Sequence, residues 1–274
     1  VTFDLAVSVL DACDYLEARH IHSPIKRRDP IEPGRREKEL AEIELTRAML
    51  ALFRAQRKAV QALLEQHYPG RKQLPTPPDP TIIMALEEDM GGFWRKIFNI
   101  VQSGMIGGVL IFEAKVPIGL DYSLVNMNAV EAARKYVYDQ LKPGVDDVTR
   151  EALRKAISGF VETPGMTIGD VISALPFDEA RAERVAVTEI TRAYAEGNRL
   201  AGEKLKEDFP DVPVIKQWFT NNDDRVCEIC GPLHEQIVLL DEIFHTDFGD
   251  FAEPPAHPRC RCWTSVTTDI SRAT

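Results

Sequence analysis

Long hydrophobic runs are missing from this sequence, and so is an excess of basic charge. No apolar stretch approaches the roughly 18–20 residues that a bilayer span requires, so no membrane partner is expected. The amino-terminal Val-Thr-Phe-Asp carries no basic segment followed by an apolar one and does not read as a secretory signal. Lys and Arg number 33 against 43 Asp and Glu, a formal net charge of -10. Polyanion binding relies on clustered cations that neutralise phosphates and release counterions. The clusters present, Lys26-Arg27-Arg28 and Arg35-Arg36, read as solvated linker charge, which disfavours a dedicated DNA-binding protein. Phe93, Trp94 and Phe98, with only Arg95-Lys96 set among them, read as core or interface residues rather than a base-stacking platform. Cysteine is scarce over most of the chain. Of 5 cysteines only Cys13 lies outside the last fifth, and an odd total without a signal argues against an extracellular disulfide framework.

What is present is a helical pattern. From Glu37 to about Tyr68, residues Leu45, Met49, Leu52, Phe53, Val60, Leu63 and Leu64 recur at three- and four-residue steps. Pro69-Gly70 ends that helix, and Leu74-Pro-Thr-Pro-Pro-Asp-Pro80 is a linker in which proline removes the amide donor. Helical character resumes at Thr81, while Gly107–Pro117 reads equally as a helix end or a β-hairpin arm. Asn126 or Asn128 caps a helix to Leu141, stopped by Lys142-Pro143-Gly144, and Asp146 starts another to about Glu162. Thr167 caps a short helix closed by Pro176. An alanine-rich helix then runs from Phe177 or Asp178 to about Asp208. The texture changes at Val212: Val212–Thr220, Gln236–Leu240 and Trp263–Thr267 alternate or are β-branched, as strands are. The expectation is a mainly α fold: a long-helix body followed by a small α+β module with a Cys/His metal site. The segments are 1–36 (N-terminal segment and linker), 37–211 (helical body) and 212–274 (module). His20 and His22 read as incidental to the linker.

The module carries the chemistry. Cys227-Glu-Ile-Cys230 has the spacing that lets two thiolates face one ion, and His257-Pro-Arg-Cys260-Arg-Cys262 adds an imidazole and two thiols. A structural zinc site takes four N or S ligands in a closed tetrahedron. Five candidates are present, so four of Cys227, Cys230, His257, Cys260 and Cys262 are expected to ligate. The set Cys227, Cys230, His257 and Cys260 is favoured, with Cys262 the substitute. Three short strands bury little apolar area, and bound metal supplies folding free energy directly. Disulfides between the two cysteine pairs, or free thiols in a packed module, remain open. Arg225, Arg259 and Arg261 supply positive charge beside the thiols. Catalysis is disfavoured: the Cys-x-x-Cys comes first, no His-x-Glu precedes it as in nucleobase deaminases, and no His-Glu-x-x-His is present. Asp223-Asp224 reads as an acidic turn opening the knuckle.

The order and spacing of these parts resemble the phage head-morphogenesis proteins grouped with protein F of bacteriophage Mu. The residues that carry the resemblance are Thr188-Glu189, Trp218, Asp223-Asp224-Arg225-Val226-Cys227-Glu228-Ile229-Cys230, and Pro254-Pro255-Ala256-His257-Pro258-Arg259-Cys260-Arg261-Cys262. The match covers about residues 120–268. One departure falls at Pro232-Leu233-His234-Glu235, where the family more often has Gly after the leucine. The resemblance implies a minor capsid protein of the virion, assembled in the host cytoplasm, structural rather than enzymatic. It implies association with the portal protein and with major capsid or scaffolding protein, in head assembly or genome delivery. Packaged DNA is a further candidate partner. A genome-associated DNA-binding protein and a metal-dependent enzyme are the alternatives. Thr188, Glu189, Arg225, Arg261 and Trp218 are expected to support the site, with Glu189 buttressing the module through Arg225, Arg261 or a knuckle amide; the plainer reading is a Glu189–Arg192 surface pair.

Overall fold

A computed structural model describes residues 32–67, 90–116, 120–162, 166–221, 223 and 225–268. Cys13, His20, His22, the Lys26–Arg28 cluster, the Pro69–Pro80 stretch, the start of the helix expected from Thr81, the Thr163–Gly165 stop and Asp224 lie outside them. The fold is mainly helical with a small sheet module near the C-terminus. The helices are α1 (Arg35–His67), α2 (Gly91–Lys115), α3 (Tyr122–Tyr136), α4 (Lys142–Glu162), α5 (Ile168–Ser173) and α6 (Glu179–Asp208). The strands are β1 (Ile215–Phe219), β2 (Ile237–Leu239), β3 (Phe244–Thr246), β4 (Gly249–Phe251) and β5 (Trp263–Thr267).

Several boundaries follow from local chemistry. Thr167 and Asp170 form a reciprocal capping box at α5, satisfying two helix-end amides at once. The Asp178 carboxylate accepts from the Arg181 amide at 2.8 Å and caps α6. Asp121, rather than Asn126 or Asn128, caps α3 by accepting from the Ser123 and Leu124 amides. The stop expected at Lys142-Pro143-Gly144 is absent. A π-turn, Val137–Leu141, joins α3 to α4, and the Lys142 amide reaches back to the Val137 carbonyl. Proline has no amide to donate and crowds the preceding turn; the wider turn accommodates it within a continuous helix. The Gly107–Lys115 stretch, ambiguous between helix and hairpin, is helical.

By internal contacts the chain divides into two units: residues 1–43, 101–133 and 184–274 form one, and 44–100 with 134–183 the other. In the second unit, Val60 and Leu64 of α1 pack with Leu153 and Ile157 of α4 and with Val171, Ile172 and Leu175. Its buried polar centre is Asp146, which accepts from Gln56 at 3.3 Å and pairs with Lys142 at 3.1 Å. Burial nonetheless pushes the Asp146 carboxyl up.

In the first unit, α2 and α6 approach at backbone distance. A Cβ on Gly108 would overlap the Tyr194 carbonyl, and one on Gly197 the Met105 carbonyl. Val101, Met105, Val109 and Phe112 of α2 are buried. By length and composition α2 is long and apolar enough to cross a membrane, which corrects the expectation that no stretch approaches a span. A helix buried on several sides needs the same composition, and 44% of its most apolar window is buried. The three-stranded sheet has the order β2-β1-β5, antiparallel throughout, with Trp218 opposite Thr264 and Phe219 opposite Trp263. The β3–β4 hairpin, which the sequence pattern did not reveal, pairs Phe244 with Phe251. The β5 strand is fastened to helices by Asn198 Nδ2 donating to the Thr264 carbonyl at 3.0 Å. Lys115 Nζ adds a bond to Ser265 Oγ at 3.1 Å.

Candidate metal centre

Two turns bring the sulfur and nitrogen donors together. After β1, the Cys227–Cys230 turn closes with the Gly231 amide on the Cys227 carbonyl at 2.9 Å, and the short helical turn Gly231–Leu233 follows. Before β5, the Cys260 amide bonds the His257 carbonyl at 3.1 Å, and Arg259 between them has a left-handed φ of 59°. The β1–β5 pairing fixes these two turns beside each other.

Cys227, Cys230 and His257 form one group of mutually close donors, and Cys230, Cys260 and Cys262 form another. Cys230 belongs to both. His257 Nε2 is 3.1 Å from the Sγ of Cys227 and of Cys230, and Cys230 Sγ is 3.8 Å from Cys260 Sγ. Zinc–sulfur bonds of about 2.3 Å at the tetrahedral angle place two sulfurs about 3.8 Å apart. A disulfide needs about 2.05 Å, and the four cysteines among the described residues are free thiols. His257 Nδ1 donates to the Pro258 carbonyl at 2.7 Å. That bond holds the ring in the tautomer whose Nε2 lone pair faces the sulfurs, as a metal-ligating imidazole requires.

The thiols are embedded in apolar surroundings. Cys230, Cys260 and Cys262 pack with Trp218, Leu233 and Phe244 in one cluster, and each is at most 4% exposed. The Cys230 thiol, with His257, pulls Cys227 down to about 4 despite burial. Burial opposes ionisation of Cys260, yet hydrogen bonds from Cys230 and Cys262 hold it well below the usual thiol range. Cys230 and Cys262 are held well above it: Cys230 by its bonds to Cys227, Cys260 and Cys262, and Cys262, against a lowering bond from Cys230, by its bond to Cys260 and by burial. The balance favours negative charge on Cys227 and Cys260, with Cys230 and Cys262 as the donors to them. Trp218, stacked edge-on to Phe244 with centroids 5.2 Å apart, lies against Cys262. Its buried indole N–H finds no conventional acceptor but favours the ionised form of that sulfur. Thiolates and one oriented imidazole are the donors that zinc selects, so the residues fit a structural ion.

The supporting residues divide. The Arg261 guanidinium makes a two-point bond with Asp223, 2.6 and 2.9 Å, and Arg225 lies on the same carboxylate at 3.7 Å. Burial opposes ionisation of Asp223, but the Arg261 bond holds it below its ordinary value. Thr188 on α6 accepts the Arg259 amide at 2.9 Å, while Glu189 pairs with Arg192 at 3.3 Å. His234, to which the sequence assigns no role, accepts the Thr220 amide on its Nδ1 at 3.1 Å, at the end of β1. Asp223, expected as a turn former, also holds Arg261. Its partner lies 38 positions away, beyond the reach of any local pattern.

Residues 148–265 match the family model described as Phage Mu protein F like protein. Over that span, less than half of the chain, the sequence is similar to Mu protein F-like proteins. The matched segment runs from within α4 through α6 to β5, so both turns and all five donors fall inside it. No curated protein and no solved structure gives a match to the chain.

Proposed function

We propose that this chain is a minor head protein of a tailed phage, bound at the portal vertex and serving head assembly or genome delivery. The observation that carries the reading is the Mu protein F-like match over residues 148–265, a family that points to phage head morphogenesis. Residues 37–211 form the binding body in this reading, and residues 212–274 the stapled module. The portal protein is the first partner, major capsid or scaffolding protein the second, within particles assembled in the host cytoplasm.

In this reading the Cys/His centre does no chemistry on a substrate. Zinc, held by four of Cys227, Cys230, His257, Cys260 and Cys262, would join the two turns and supply folding free energy. A catalytic zinc keeps an open position and fewer thiolates. The chain's own contribution is orientation: the Pro258 carbonyl fixes the His257 ring, and Asp223 fastens Arg261 between two of the thiols.

Co-expression with the portal protein, followed by affinity capture and analysis of purified particles, tests the reading. A stable complex and a low-copy band in particles are expected. Absence of both would sink it. A gel shift with duplex DNA at physiological salt that persisted against competitor would favour a genome-associated protein instead.

A further inference from the structure

The two donor turns meet at a pair of buried sulfurs. Cys230 Sγ lies 3.8 Å from Cys260 Sγ across 30 positions of sequence, and the two residues are 3% and 1% exposed. The antiparallel β1–β5 ladder, which ends with Phe219 opposite Trp263, holds both turns at one end of the sheet. Closing the sulfurs to the length of a disulfide, about 2.05 Å, asks for under about 2 Å of travel. Cys227 differs from the other three thiols of the module. It is half-buried and lines a cleft of about 30 Å³ with Thr220, Arg225 and Val226, room for a molecule the size of two waters. Its sulfur belongs to the same donor group as Cys230, within 4.8 Å. His257 Nε2 is 3.1 Å from both sulfurs.

We propose that hydrogen peroxide, acting on the metal-free module, ties the two turns with a Cys230–Cys260 disulfide that replaces the ion as their staple. The replacing role rests on the zinc reading; the pairing itself does not. Cys227 is the point of entry. His257 Nε2 takes the Cys227 proton, and the thiolate attacks one peroxide oxygen. The O–O bond breaks and hydroxide leaves. Two electrons pass from sulfur to peroxide, and Cys227 becomes a sulfenic acid. Cys230 loses its proton to that hydroxide, attacks the Cys227 sulfur and expels a second hydroxide, which takes the proton held by His257. Two thiols and one peroxide have then given one disulfide and two waters. Cys260 next attacks Cys230: the Cys230–Cys260 bond forms, the Cys227–Cys230 bond breaks, and Cys227 leaves as a thiolate that takes the Cys260 proton. The exchange runs forward because the fold already holds Cys230 and Cys260 in contact, and burial shields the product from reductants. Cys262 shares their donor group, but Cys260 is the sulfur in hydrogen-bond contact with Cys230.

The test treats the full wild-type chain, stripped with a chelator, with hydrogen peroxide. Remaining thiols are alkylated, and non-reducing peptide mapping by mass spectrometry reads all 5 cysteines. A single Cys230–Cys260 link is expected, with Cys227 and Cys262 alkylated and a melting temperature above that of the stripped, reduced chain. A thiol reductant applied to the unfolded protein should return the lower value. A map dominated by Cys227–Cys230, by a link to Cys262 or by unpaired sulfinic acids would overturn the proposal, as would a melting temperature that does not rise. Cys260→Ser should trap the Cys227–Cys230 bond, and Cys227→Ser should slow linkage while leaving its pairing unchanged; linkage at the wild-type rate would refute entry through Cys227. Metal analysis before stripping is a separate readout. A chain that carries no zinc yet forms the link fails the zinc reading alone, and a zinc-loaded chain that forms another link once stripped fails the pairing alone.

Discussion

The Arg259 amide donates to the Thr188 hydroxyl across 2.9 Å, and that hydroxyl donates in turn to the Arg184 carbonyl at 2.7 Å. One side chain on α6 therefore pins the His257–Cys260 turn at its left-handed residue. Thr188→Ala leaves the amide without its acceptor and should cost about 1–2 kcal/mol. Urea unfolding of the pair checks it, and Thr188→Ser should recover most of the loss. An unchanged midpoint for the alanine variant would show that the turn holds itself.

Glu235 stands at a φ of 64°, with its amide on the Trp218 carbonyl at 2.8 Å. Side chains with a Cβ resist this region by roughly 1–2 kcal/mol, whereas glycine enters it freely. Glu235→Gly should accordingly raise the denaturation midpoint. A drop would mean that the Glu235 side chain contributes more than its backbone strain removes.

The close approach of α2 and α6 leaves no space for a methyl group. Gly108→Ala and Gly197→Ala should each destabilise by about 1–3 kcal/mol or more through forced separation of the helices. Gly144 has open space around its Cβ position. Gly144→Ala should be neutral or stabilising by up to about 1 kcal/mol, the helix-propensity difference. Calorimetry on the three variants separates backbone crowding from propensity.

Asp223 is held below its ordinary carboxyl value, with burial opposing and the Arg261 bond dominating among the lowering contacts. A depressed folded-state value means that its contribution is present above the unfolded value of 3.8 and is lost as pH falls through the folded one. Asp223→Asn should be less stable than wild type near neutrality and lose less on acidification below about pH 4. Acid unfolding followed by tryptophan fluorescence would reveal equal slopes if Arg261 had found another partner.

Metal removal gives the fifth expectation. Purified protein should carry one zinc per chain, and a chelator should lower its melting temperature. Cys230→Ser, which removes the thiol common to both donor groups, should abolish binding. Absence of both metal and free thiols would point to disulfides.

Much of this was legible in the sequence because its causes are local. The apolar steps of α1, the Thr167 cap and the β-branched runs of β1, β2 and β5 lie within a few residues of each other, and each is visible as a pattern. The Cys-x-x-Cys and His-x-x-Cys-x-Cys spacings announce a donor cluster for the same reason. The rest depends on distant partners. Pro143 stops a helix by local rules, yet a π-turn carries the helix past it. The β3–β4 hairpin has strands of three residues, too short for an alternation to register. Asp223 and Arg261 are 38 positions apart, and nothing near either one names the other.

The bond between Lys115 and Ser265 joins residues 150 positions apart. At roughly 5–20 residues per second, a ribosome finishes α2 about 8–30 s before β5 is made. During that time β5, which Asn198 and Lys115 will fasten, does not yet exist, and the thiols of Cys260 and Cys262 are not yet present to meet Cys227 and Cys230. Folding of this unit therefore waits until β5 has been made.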